Sequence, residues 1–187
     1  MRAQLLQSDE NLGGALVVSD RVLDIVRGVE IPIGPNKRQS VSASEVLRLT
    51  LRLMQSELRA AANVEVDVRA VPPVSGSQAQ LGQVMLSLLA HALDAMTAVP
   101  RHQRALSIRL AHDEPWIVLE VRSSIALGTG EYVVDSSTGR RRPRELGLAI
   151  SQSIVDELGG HLHAESLDGG GSVRRLKLPQ SYSASVA

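Results

Sequence analysis

Gln80-Leu-Gly-Gln-Val-Met-Leu-Ser-Leu-Leu-Ala-His-Ala-Leu-Asp-Ala95 is the stretch on which the fold turns. Ser77-Gln-Ala-Gln80, running into it, is a capping box: a hydroxyl and an amide side chain satisfy N–H groups that a helix start leaves without partners. Pro100 ends the segment, because its ring lacks an N–H and collides with the preceding turn. A long central helix is therefore expected, and its neighbours on either side decide what it packs against.

Upstream, Val64-Glu-Val-Asp-Val-Arg69 alternates strictly, which predicts a strand with Val64, Val66 and Val68 on the buried side. Ahead of it a second capping box, Ser42-Ala-Ser-Glu45, opens a helix whose face is set by Val46, Leu49, Leu53 and Leu58 and which runs to about Ala61. Downstream come two more alternating runs, Ala105 to Leu110 and Trp116 to Arg122, joined through Asp113-Glu-Pro115 as a hairpin connection. From Ser123 to Pro143 the pattern dissolves into a loop of about twenty residues, a length usually reserved for functional or disordered segments. Leu146 to Leu158 is helical by periodicity and is closed by Gly159-Gly160. His161 to Glu165, a turn at Asp168-Gly-Gly-Gly171 and the strand Ser172 to Leu178 complete the order. No internal repeat is present. The fold class is α+β: a two-layer sandwich of a mixed sheet of about five strands with three helices on one face, over residues 42–180, followed by a disordered tail at 181–187.

Near the N-terminus, Leu5, Leu12, Leu16, Leu23 and Val26 fall on one helical stripe, so residues 1–30 are expected to form a helix ending near Gly28. It either folds back on its own domain or pairs with a second copy as a short coiled coil through Leu12, Leu16, Leu23 and Val26. Pro32 and Pro35 mark residues 31–41 as a linker.

Composition narrows the function. The 187 residues carry 20 basic and 20 acidic side chains, so no global field draws the chain towards nucleic acid or an anionic membrane. There is no cysteine and hence no disulfide or thiolate chemistry, which fits a reducing compartment. Phe is absent, and the aromatic residues are Trp116, Tyr132 and Tyr182, too few for base-stacking platforms. No apolar run approaches the roughly 20 residues of a membrane span. The expectation is a cytoplasmic protein with no membrane or nucleic-acid partner.

In order and junction residues, about residues 40 to 180 resemble the catalytic ATP-binding domain of bacterial sensor histidine kinases, within the GHKL (Bergerat-fold) superfamily. Gln80 to Ala95 is similar to the N box of that family, written Q-x-x-N-L-x-x-N-A, and Leu146-Gly-Leu-Ala-Ile-Ser-Gln-Ser-Ile-Val-Asp-Glu-Leu-Gly-Gly160 to its last glycine box and helix. The Asp168-Gly-Gly-Gly-Ser172 turn and the ending Lys177-Leu-Pro179 resemble its closing hairpin. The resemblance makes residues 9 to 29 similar to the second helix of the dimerisation hairpin and the 123–143 loop similar to the ATP lid.

The departures fall at the chemistry. Ser87 and His91 stand where the N box has asparagines, and the His91 position is the one that coordinates Mg²⁺ in the family; imidazole is a poor substitute for an amide oxygen on a hard cation. Where the family has D-x-G-x-G, this chain has Ser123-Ser-Ile-Ala-Leu127, with no carboxylate for the adenine amine. G-x-G-L-G-L becomes Pro143-Arg-Glu-Leu-Gly-Leu148, leaving Gly147 and placing Glu145 where helix amides would cradle phosphate. No His precedes His91, so the chain offers no phosphoacceptor in an H-E/D motif. His161 and His163 share a strand face, but two ligands alone rarely hold zinc.

The resemblance thus implies a vestigial pocket at Ser87, His91, Ser123, Glu145 and Gly147, no catalytic residue, no metal site, and no cofactor unless ATP and Mg²⁺ are bound atypically. The expected function is a protein-interaction scaffold or adaptor in bacterial two-component signalling. It would be a homodimer through the N-terminal helix and would meet another signalling protein, such as a kinase or response regulator. Two alternatives stand beside it. One is an atypical ATP-binding kinase or ATPase module acting on a partner chain. The other is binding of an anionic ligand or nucleic acid through Arg140, Arg141, Arg142 and Arg144.

Overall fold

The computed structural model describes residues 39–96, 99–125, 143–168 and 170–181, with the side chains of 143–146 excepted. The expected N-terminal helix, with Leu12, Leu16, Leu23 and Val26, lies outside the described residues, as do Arg140, Arg141 and Arg142.

Strand β1 (Gln39–Val41) leads into α1 (Ala43–Leu53) and α2 (Gln55–Ala61), then β2 (Asn63–Val68), β3 (Val74–Gly76) and α3 (Gln78–Met96). After a 3₁₀ turn at Arg101–Gln103 come β4 (Ala105–Asp113), β5 (Trp116–Ser123), α4 (Pro143–Glu157), β6 (His161–Ser166) and β7 (Ser172–Pro179). The main sheet has the order β2-β4-β5-β7-β6; β2 pairs in parallel with β4 and every other pair is antiparallel. That is the five-stranded mixed sheet expected from the alternation pattern.

One face of the sheet is the core. Leu106, Ile108 and Leu110 of β4, Ile117, Leu119 and Val121 of β5, and Leu176 and Leu178 of β7 are all at most 2% exposed, and the register sets them side by side. Helix α3 lies across them with Val84, Met85, Leu86, Leu88, Leu89, Ala92, Leu93 and Met96 buried. It packs against α1, α2, α4 and β5, so it is covered on several sides and carries an almost continuous apolar surface. Burying such side chains at roughly 1.5–3 kcal/mol each is the principal stabilising term.

Four corrections to the sequence reading follow from packing. The single helix expected from Ser42 to Ala61 is interrupted at Met54, whose φ of −96° and ψ of 10° leave the helical basin, so four helices stand where three were expected. The buried residues of α1 are Ala43, Ser44, Val46, Leu47 and Thr50, while Leu49 and Leu53 are 41% and 60% exposed. Two stripes with helical spacing competed, and the one with polar members won because Ser44 Oγ donates to the Arg69 carbonyl and Thr50 Oγ1 to the Val46 carbonyl. Val66 lies on the core side of β2 yet is 51% exposed, since β2 is an edge strand, flanked by a neighbour on one side only. Finally, Gln39–Val41, inside the expected linker, forms an antiparallel pair with β3 through Gln39 and Gly76, Ser40 and Ser75, and Val41 and Val74.

Local signals were sound elsewhere. Ser42 Oγ accepts from the Glu45 amide at 3.3 Å, the N-cap bond that its position called for. The β4–β5 connection is the two-residue loop Glu114-Pro115. Gly159, at φ 73°, closes α4, a left-handed residue that glycine adopts without penalty.

Candidate functional site at the seam of two helices and the sheet

Helices α3 and α4 meet through Ser87 and Gly147. Ser87 is 9% exposed, and a Cβ built on Gly147 would stand 3.2 Å from its Oγ. A side chain at 147 would press on the Ser87 hydroxyl, which would have to give by a few tenths of an ångström. Ser151, fully buried one turn along α4, donates its Oγ to the Gly147 carbonyl at 2.8 Å and so has its hydroxyl satisfied within the helix. His91 lies one turn beyond Ser87 on α3 and is half-buried. Glu145 and Arg144 occupy the first turn of α4, but their side chains are outside the described part.

Ser123 ends β5 on the face that the helices cover, opposite Ser172 of β7, and the two residues are 3% and 2% exposed. Both hydroxyls are tied to the turn beyond them: the Ile125 amide donates to Ser123 Oγ at 3.1 Å, and Ser172 Oγ donates to the Ile125 carbonyl at 3.1 Å. Gly171, at φ 101°, brings its Cα so near this rim that a Cβ would lie 2.7 Å from the Ser123 carbonyl oxygen. The structure thus brings Ser87 and Gly147 into contact and sets Ser123 on the sheet beneath the helical layer.

Sequence reasoning missed the most unusual residue of this region. Arg174 pairs with Val121 on β5 and Ala164 on β6, which puts it on the core face, and it is 3% exposed. Both terminal guanidinium nitrogens are buried with no hydrogen-bond partner. Burial pulls its pKa below the ordinary value, yet a guanidinium does not lose its proton in a protein, so a charge sits unopposed in the apolar layer. The signal was present in the sequence: Leu176 and Leu178 mark the core parity of β7, and Arg174 has that same parity. Among the described residues, it is the one Asp, Glu, Lys or Arg on the helix-covered face of the sheet.

The opposite face is ordinary electrostatics. Arg175 donates Nε to Glu120 at 2.6 Å and Nη1 to Glu165 at 2.5 Å, while Arg122 lies 3.4 Å from Glu120. Burial alone would raise the Glu120 carboxyl, but the Arg175 hydrogen bond and the charges of Arg122 and Arg175 outweigh it and hold the group below its ordinary value. His161 and His163 are exposed on this face, His161 against Trp116 with ring centroids 5.3 Å apart and His163 3.9 Å from Glu165. Among the described residues no group of three or more His, Cys, Asp and Glu could hold a metal ion. No helix among them is long and apolar enough to cross a membrane.

Comparison with known proteins agrees with the architecture. The family model described as histidine kinase-, DNA gyrase B- and HSP90-like ATPase matches residues 76–182. The sensor protein FixL of Bradyrhizobium diazoefficiens is 32% identical over 111 residues, a match that takes in 57% of this chain and 22% of FixL. The chain thus spans about a fifth of that relative's length. Among solved structures, a mycobacterial sensor histidine kinase, MprB, is similar with a TM-score of 0.58 and 24% identity, over 76% of this chain and 97% of that one. The nucleotide-free catalytic domain of the histidine kinase ThkA is similar with a TM-score of 0.61 and 18% identity, over 78% and 99%. With a family match across more than half of the chain, and with a five-stranded mixed sheet under α3 and α4 to carry it, this protein belongs to the histidine kinase-, DNA gyrase B- and HSP90-like ATPase family.

Proposed function

We propose that this domain keeps the fold of a histidine-kinase ATPase module as a protein-docking scaffold in bacterial two-component signalling and has given up ATP and magnesium. One observation carries the reading: on the sheet face beneath α3 and α4 the charged side chain is Arg174, a cation, and the rim residue Ser123 offers a hydroxyl already held by the Ile125 amide. An adenine amine asks for an acceptor there, and the described residues of that face supply no carboxylate. A hard divalent ion asks for oxygen ligands, and Ser87 and His91 supply one hydroxyl and one imidazole. The residues present do not fit ATP with magnesium.

Docking draws support from α1, where Leu49 and Leu53, one turn apart, leave 41% and 60% of their surface exposed. The partner would be another signalling protein, a kinase or response regulator, and self-association would run through Leu12, Leu16, Leu23 and Val26, in a cytoplasmic setting. Calorimetry tests the nucleotide half: titration with ATP and Mg²⁺ should give no binding heat, and micromolar affinity would overturn the reading.

The alternative, an atypical ATP-binding module acting on a partner chain, draws on Gly147 and on the helical start of α4 at Pro143, whose free amides favour anions. It requires His91 and the Arg140 to Arg144 cluster to replace the lost ligands. ATP turnover that disappears in His91→Ala would establish it.

A further inference from the structure

A guanidinium sealed into an apolar layer with neither terminal nitrogen bonded is a group in want of an anion. Arg174 stands on β7, the strand between β5 and β6. Helix α3 packs on β5 and α4 on β6, the two strands that flank β7, so Arg174 lies on the sheet face that these two helices cover. Two residues along the same face is Ser172, paired with Ser123 at the rim. The neighbours on either side, Val121 and Ala164, have no polar side chain to offer. The two nearest carboxylates by register, Glu120 and Glu165, point to the opposite face and are engaged by Arg175. No described group of this chain neutralises Arg174.

We infer that the seam between α3, α4 and the sheet binds a small ligand through an oxyanion, a carboxylate or a phosphate group, gripped by the Arg174 guanidinium. The planar fork of two N–H groups matches the two oxygens of such a group, and a charge-assisted pair of this kind is strongest where water is excluded. The buried cation sets the choice of ligand: a guanidinium with two unbonded N–H-bearing nitrogens selects an acceptor-rich anion. This inference rests on the reading that ATP with magnesium is no longer the occupant.

The test is thermal unfolding of the full chain, titrated separately with inorganic phosphate and with acetate at constant ionic strength against sodium chloride, with ATP and Mg²⁺ as a parallel arm. Phosphate or acetate should raise the midpoint by roughly 3–5 °C at ten times its half-saturating concentration. Arg174→Leu should abolish that rise, Arg174→Lys should weaken binding by about tenfold through loss of the fork, and Arg109→Leu on the solvent face should leave it intact. Phosphate alone acting would identify a phosphate-ester ligand, and acetate alone a carboxylic acid. The Arg174 Nε–H resonance of the unmodified protein should move on titration, a readout that needs no variant to fold. No midpoint rise with either anion, or an equal rise in Arg174→Leu, would overturn the inference. Stabilisation by ATP with Mg²⁺ that survives Arg174→Leu strikes instead at the loss of nucleotide, and the anion arms still judge Arg174.

Discussion

Arg174 and Arg175 are adjacent on β7, and the two faces of the sheet treat them in opposite ways. Arg175, on the open face, bonds to Glu120 and Glu165 and is raised above its ordinary pKa by those hydrogen bonds. Arg174, on the covered face, is buried without a partner at either terminal nitrogen. On the open face Arg122 and Arg175 pair with Glu120 and Glu165. The covered face is apolar packing plus one uncompensated charge, and that asymmetry locates the place where something outside the described chain would complete the structure.

The comparison can be broken most decisively by packing. Leu119→Ala, at a core position 1% exposed, should destabilise the domain by about 2–5 kcal/mol in urea unfolding, while Arg122→Ala on the other face of the same strand should change stability by under about 1 kcal/mol. A more pointed contrast is the arginine pair itself. Arg174→Leu should be neutral or stabilising by roughly 1–4 kcal/mol in the absence of ligand, because it replaces a buried charge with apolar volume. Arg175→Leu should destabilise by about 1 kcal/mol, since it removes the donor that bridges Glu120 and Glu165 and leaves Glu120 the longer bond from Arg122. If both substitutions destabilise alike, the two faces are not different in kind.

Acid sharpens the same contrast. The folded-state pKa of Glu120 is depressed, so its contribution is fully present above the ordinary value of 4.5 and is lost as the pH falls through the folded value. The unfolding midpoint should therefore decline below about pH 4.5, and Glu120→Gln should flatten that decline; Arg174→Leu should leave its slope unchanged. The smallest effect concerns the cap of α1: Ser42→Ala removes the acceptor for the Glu45 amide and should lower stability by about 1 kcal/mol without touching either face of the sheet.

The periodicities and caps made the layer order readable because each was a local rule agreeing with its neighbours: two alternating runs across Glu114-Pro115, a capped helix at Ser42, a glycine stop at Gly159. What was not readable depended on neighbours distant in sequence. Whether Leu49 and Leu53 or Leu47 and Thr50 face inwards is decided by where β2 ends and by the Arg69 carbonyl that receives Ser44. The exposure of Val66 depends on β2 taking an edge of the sheet. Of the residues that the motif-like segments singled out, the structure sets Ser87 against Gly147 and Ser123 at the end of β5. Arg174 was passed over because Val173-Arg-Arg-Leu-Lys-Leu178 read as a strand without its parity being counted against the core.

The sheet is assembled from two local hairpins and two distant pairings, β2 with β4 and β5 with β7. Strands β4 and β5 are joined by two residues, and β6 and β7 by the turn in which the Leu167 amide meets the Gly171 carbonyl. Strand β2 finds its parallel mate, β4, only after the whole of α3 has been threaded between them. Such an order separates early from late: the hairpins can zip on microsecond scales, whereas β2 needs chain closure over some forty residues and the β5–β7 pairing over some fifty to sixty. An edge strand is bonded on one side only, so amide protons of β2 should exchange with solvent sooner than those of β5 at the centre of the sheet.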